Sequence, residues 1–219
     1  VGSEMCIRDS CTYCVIPKVR GSFRSFPIEY LVNQTKKLVE GGVKEIILVA
    51  QETTLYGVDL YGKKSLPKLL HNLGLIEGLE WIRILYCYPE EINDELIEAI
   101  KNEPKVCHYL DMPIQHASDN ILKRMGRRTS KQELTDIVAK LRREIPDIAL
   151  RTTLITGFPG ETDVDHEEVM QFIDECEFDR LGVFTYSREE DTVAAQMPDQ
   201  IDEEIKEKYR DELMQLQQE

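Results

Sequence analysis

Five short apolar runs rich in β-branched residues, separated by segments with helical spacing, set the limits on how this chain can fold. They lie at residues 44–51, 81–86, 106–112, 148–155 and 181–186. The first, centred on Ile46, Ile47, Leu48 and Val49, has the continuity of a strand buried on both faces. Between the runs, Ile28, Leu31, Val32, Thr35, Leu38 and Val39 share one helical face, started by Pro27 and stopped by Gly41 and Gly42. Asn93 and Asp94 cap a helix carrying Leu96, Ile97 and Ile100, and Ser130 with Glu133 forms a capping box before Leu134, Ile137, Val138 and Leu141. A further helix is expected over residues 164–175. Strands alternating with helices predict a parallel sheet with right-handed crossovers, either a βα barrel or an open doubly wound sheet. In both, chemistry belongs at the C-terminal ends of the strands.

The composition keeps the chain in the soluble globular class, with 42% hydrophobic and 31% charged residues among 219. No apolar run approaches the roughly 20 residues a membrane-spanning helix needs, and the first residues lack the layout of a signal peptide. A cytoplasmic protein without membrane contact is the expectation. A net charge of −14 argues against nucleic acid as a partner of this domain alone, because affinity for a phosphate backbone comes mainly from Lys and Arg. Residues 202–219 read as a charged helix leading toward a further domain.

Of six cysteines, Cys6, Cys11 and Cys14 gather near the N-terminus, while Cys87, Cys107 and Cys176 are scattered. The scattered three are expected to behave as small apolar residues. Cys11-Thr-Tyr-Cys14 is a CxxC on a loop before the first helix, a spacing shared by zinc sites, thiol redox pairs and iron–sulfur clusters. The spacing alone leaves the three open.

The longer stretch Cys-Thr-Tyr-Cys-Val-Ile-Pro-Lys-Val-Arg-Gly, residues 11–21, resembles the cluster loop of the radical S-adenosylmethionine methylthiotransferases. In that family a CxxxCxxC motif holds three irons of a 4Fe-4S cluster and leaves the fourth open to S-adenosylmethionine, whose cleavage releases a 5′-deoxyadenosyl radical. The resemblance makes Cys11 and Cys14 metal ligands. It also asks for a cysteine at position 7, where this chain has Ile7, with Cys6 one residue out of register. Residues 1–10 do not resemble the family and are read as a non-native segment. The fold implied is an open partial TIM-like (βα)6 barrel with its first strand missing or replaced. Its domain runs over residues 11–201, and imperfect closure exposes apolar residues of the 44–51 strand.

Four further stretches, residues 49–57, 85–90, 110–118 and 184–187, are more similar to the ribosomal-protein aspartate methylthiotransferases than to the transfer-RNA type. The resemblance implies that Gln51, Thr53 and Thr54 meet the amino-acid end of S-adenosylmethionine, against the alternative of a polar loop with capping threonines. Asp111, Gln115 and His116 end a predicted strand, where convergent polar groups suit ribose contacts or substrate orientation, and the resemblance implies that the segment from Arg151 through Gly157 and Gly160 to Thr162 meets the adenosine. Tyr13 falls at the aromatic position beside the adenine. No residue is assigned an acid or base role. The implied activity is methylthiolation of the β-carbon of an aspartate on a small-subunit ribosomal protein, served by an electron donor protein and by a second 4Fe-4S cluster on an N-terminal domain outside this sequence. The competing readings are a transfer-RNA adenosine methylthiotransferase and a catalytically silent barrel fragment whose CxxC holds zinc or nothing.

Overall fold

The computed structural model describes residues 11–218. In chain order these form α1 (Ile16–Arg20), α2 (Ile28–Glu40), β1 (Glu45–Leu48), α3 (Val58–Tyr61), α4 (Leu66–Gly74), β2 (Trp81–Ile84), α5 (Asp94–Asn102), β3 (Val106–Asp111), α6 (Asp119–Arg124), α7 (Lys131–Glu144), β4 (Ala149–Thr156), α8 (Asp163–Cys176), β5 (Arg180–Thr185) and α9 (Glu203–Leu216), with single 3-10 turns at Pro89–Glu91 and Ala194–Gln196. The strands follow the sheet order β1-β2-β3-β4-β5 without closing. Parallel pairing sets Ile46 beside Ile82, Ile84 beside Leu110, and Asp111 beside Arg151. An open parallel α/β sheet of this order agrees with the partial barrel expected above.

The chain divides into two compact units. One comprises residues 11–22, 114–136 and 152–218, and the other residues 23–113 and 137–151, so that β4 contributes to both. In the second unit the core is built by α4, whose Leu66, Leu69, Leu70 and Leu73 are all buried, with Ile82 and Ile84 of β2 and Leu96, Ile97 and Ile100 of α5. The side chains of α4 recur at i, i+3, i+4 and i+7, one continuous apolar face. Asn93 caps α5 by accepting the Leu96 N–H at 3.0 Å. Ser130 and Glu133 exchange the two bonds of a capping box.

One expectation needs correction. The 44–51 run is not buried on both faces: β1 is an edge strand of the described sheet, and Ile47 and Val49 are 51% and 60% exposed. An edge strand has a neighbour on one side only, so continuity of apolar residues does not by itself place it in the interior. The exposure of this strand's apolar residues, expected from imperfect closure, is present.

In the first unit, α8 opens with a capping box in which Thr162 and Asp165 exchange bonds. The helix α9 is folded down rather than free, with Tyr209 and Leu213 buried and the Tyr209 hydroxyl donating to Asp163 at 2.7 Å. Among the described residues no helix is long and apolar enough to cross a membrane.

Candidate functional site

The residues singled out in the sequence fall into two clusters, one in each unit. In the first, Cys11 to Cys14 form a tight turn closed by the Cys14 N–H donating to the Cys11 carbonyl at 3.0 Å. Thr12 fastens this turn on two sides. Its N–H and hydroxyl donate to the carbonyls of Met125 and Arg124, each at 2.9 Å, and its carbonyl accepts the Ala194 N–H at 2.9 Å. Both thiols are half-buried, and the Arg127 guanidinium lies 4.0 Å from the Cys11 sulfur. Burial pushes the Cys14 thiol above its ordinary value, the Ile16 N–H opposes that, and Cys11 adds to it.

Two half-buried thiols on one pinned turn, beside a cation, suit the soft-ligand corner of an iron–sulfur cluster. Such a cluster needs a third ligand from the chain. Among the described residues no three His, Cys, Asp or Glu side chains come together as a metal site, so the described part of the turn offers two thiols, Cys11 and Cys14. Cys6 and Ile7, on which the third corner turns, lie outside the described residues, as does the whole 1–10 segment.

Tyr13 packs edge-on against Phe158, with centroids 6.0 Å apart, and Phe158 meets Tyr186 at 5.4 Å in a cluster with Ile121, Met125 and Ala194. Gln115 adopts φ +72 and is half-buried; its backbone carries the pairing beside β4 through bonds to Thr153 and Ile155. Gly157 has φ +70, and a Cβ there would lie 2.0 Å from the Lys206 Cγ; at Gly160, φ +83, it would lie 2.5 Å from the Arg124 guanidinium carbon. The close approach these glycines permit is therefore taken up by Lys206 and Arg124 of the chain itself.

The second cluster lies where β1, β2 and β3 end. Gln51 is exposed and Thr53 buried, its hydroxyl donating to the Leu85 carbonyl at 2.6 Å and its N–H to the Tyr86 carbonyl at 2.9 Å. Between them Glu52, missed in the sequence, is only 5% exposed and accepts from the Thr54 N–H at 2.8 Å, the Thr54 hydroxyl and the Tyr88 N–H at 2.9 Å. Burial outweighs those donors and pushes its carboxyl up to about 7. Asp111 accepts the Tyr86 N–H at 3.1 Å on one oxygen. Its other oxygen is buried without a hydrogen-bond partner, 3.7 Å from the Arg151 Nε. Cys87 is fully buried beside them, and burial, then the Glu52 and Asp111 charges, drive its thiol well above the ordinary range. Tyr86, at φ +59, is held in the left-handed region by this network. Thr53, Asp111 and Arg151 are thus gathered on one rim, while Gln51 points to solvent.

Of the remaining cysteines, Cys176 is buried and Cys107 half-buried. The expectation of small apolar residues suits Cys87 and Cys176 more closely than Cys107, which stands beside Arg83.

Residues 2–173 match the model of the radical SAM superfamily, and the chain belongs to that superfamily. Among curated proteins it is 67% identical over 208 residues to the ribosomal protein uS12 methylthiotransferase RimO of Lachnoclostridium phytofermentans, covering 95% of this chain and 47% of the relative. The proteins of the same name from Clostridium botulinum and Clostridium acetobutylicum are 57% and 56% identical, over 95% and 99% of this chain and 47% and 48% of theirs. The chain spans about half the length of the curated relatives it matches. Among solved structures it resembles the radical S-adenosylmethionine methyltransferase TsrM of Kitasatospora setae, at a TM-score of 0.65 and 16% identity over 80% of this chain and 34% of that one. It also resembles methylornithine synthase PylB, at 0.64 and 13% over 95% and 58%. At such identities these two support the fold alone.

Proposed function

We propose that this chain is the radical domain of an enzyme that methylthiolates the β-carbon of an aspartate on ribosomal protein uS12. The observation that carries the reading is the identity of 67% along 95% of the chain to a uS12 methylthiotransferase, combined with the pinned Cys11–Cys14 turn. When bound, a 4Fe-4S cluster and S-adenosylmethionine supply hydrogen-atom abstraction from an unactivated C–H bond. The chain's own part is to hold and orient. Cys11 and Cys14 would hold two irons, Thr12 fixes the turn that carries them, and the Arg127 cation would offset thiolate charge. Half-buried Tyr13 is the surface proposed for the nucleoside, backed by the buried Phe158 and the 157–161 loop. Within the other unit, Asp111 and Arg151 present a buried oxygen and a cation on one rim. The second cluster, the electron donor protein and the cytoplasmic setting belong to the same proposal.

The test is to replace the matching segment of the Lachnoclostridium relative by residues 11–218 of this chain and analyse uS12 by mass spectrometry. Methylthio-aspartate on uS12, lost with Cys11→Ala, is expected. Unmodified uS12 from a cluster-loaded protein would overturn the reading, and methylthiolated adenosine in transfer RNA would replace it with the nucleic-acid alternative.

A further inference from the structure

Within the unit that carries the cysteine turn, His116 and Glu161 form a buried pair for which the cysteine chemistry has no use. Their side chains are 2% and 1% exposed, with His116 Nε2 and Glu161 Oε1 3.3 Å apart. The Ser118 N–H donates to His116 Nδ1 at 3.0 Å. Nδ1 is therefore the accepting nitrogen, and the imidazole proton sits on Nε2, facing the carboxylate. The other oxygen of Glu161 accepts the Gly157 N–H at 2.5 Å and the Phe158 N–H at 3.1 Å. One carboxylate thus reaches from the imidazole to the first amides of the 157–161 loop.

His116 Nε2 and Glu161 Oε1 are both buried and neither makes a hydrogen bond; the 3.3 Å approach of one to the other is the polar contact they have. A buried polar atom left alone is costly, so each of these two depends on the other for its place. We propose that His116 is a positioning residue that acts through Glu161 on the backbone of Gly157 and Phe158; its bearing on the cofactor rests on the reading above that this loop backs the nucleoside surface at Tyr13. The chemistry is specific to a carboxylate. A glutamine at 161 sets its NH2 group against the Nε2–H or against the two loop amides, and either orientation opposes two donors.

The test is hydrogen exchange over residues 155–162 in the 219-residue chain, with amides of α4 as the control for retained folding. His116→Phe keeps a ring but loses both nitrogens, and is expected to speed exchange at Gly157 and Phe158 about tenfold. Glu161→Gln is expected to do about the same, and the double variant no more than either single. His116→Gln offers an acceptor to Ser118 and a donor to Glu161 in a smaller side chain. It keeps the test decisive if the phenylalanine variant does not fold, with protection expected to stay within about threefold of the parent. The affinity for S-adenosylhomocysteine, measured on the same variants, is expected to fall in step with loop protection. Parental exchange rates in His116→Phe, a loss of loop protection in a folded His116→Gln, or single effects that multiply in the double variant would each overturn the proposal. If the exchange results hold but the parent chain binds no S-adenosylhomocysteine, the nucleoside reading fails and the action of His116 on the loop stands.

Discussion

The hydroxyl of Thr12 donates to the carbonyl of Arg124 at 2.9 Å, across 112 residues of sequence, and so ties the turn bearing Cys11 and Cys14 to the end of α6. A turn that presents two thiols is only as exact as the backbone beneath it, and here the neighbouring Met125 and Ala194 complete the anchorage. The same Arg124 lays its guanidinium over Gly160, so one residue touches both the thiol turn and the loop that backs the proposed nucleoside surface.

Thr12→Val removes the hydroxyl and leaves the two backbone bonds. It is expected to cost about 1 kcal/mol in urea unfolding. Alkylation of Cys11 and Cys14 in the metal-free chain should rise several-fold, read by mass spectrometry after timed iodoacetamide exposure. Unchanged alkylation would show that the hydroxyl bond does not steady the turn.

Glu52 predicts a pH dependence with a definite sign. Its carboxyl sits near 7 in the folded chain because burial outweighs its hydrogen bonds, against an ordinary value of 4.5. Between those values the folded state binds the extra proton, so stability is highest below about 4.5, falls as pH rises through 7, and then levels off. The span corresponds to a contribution of the order of 3 kcal/mol. Glu52→Gln should flatten this part of the profile in denaturant titrations at several pH values. A profile identical to the parent's would show that Glu52 titrates normally.

At Gly157 a side chain meets two obstacles, the positive φ and the stem of Lys206. Gly157→Ala is expected to destabilise by about 2–4 kcal/mol. Adding Lys206→Ala should return part of that loss by relieving the contact but not the backbone strain, which a double-mutant cycle on unfolding free energies measures. Strict additivity would mean that Lys206 does not fill the space at Gly157.

Thr162→Ala removes one half of the box that starts α8 and is expected to cost about 1 kcal/mol by thermal or chemical unfolding. A neutral substitution would show that Asp165, held also by Ser118 and Asn120, sustains the helix start without it.

All five strands were legible because parallel strands are written as short β-branched runs, and the Asn93 and Ser130 caps because they follow from local hydrogen bonding. The run at 44–51 misled in one respect: continuity marks a strand but does not tell an edge from an interior one. The helix α4 was passed over although Leu66, Leu69, Leu70 and Leu73 carry its spacing; Pro67, a breaker in mid-helix, is permitted there because it lies in the first turn. At the candidate site the cysteines stood out by spacing. The orientation of Gln51 against Glu52 depends on how the chain leaves β1, and the His116–Glu161 pair joins residues far apart in sequence. Neither has a local signature, so both needed the fold.

Cys11 and Cys14 are the proposed iron ligands, and anaerobic reconstitution with iron and sulfide probes them, reading iron per chain and the visible spectrum for the parent and for Ile7→Cys. The Ile7→Cys chain is predicted to take up about four irons with broad visible absorption, and to lose both when Cys11→Ala or Cys14→Ala is added. A colourless Ile7→Cys chain, or one whose iron content is indifferent to Cys11 and Cys14, would rule out these two thiols as cluster ligands.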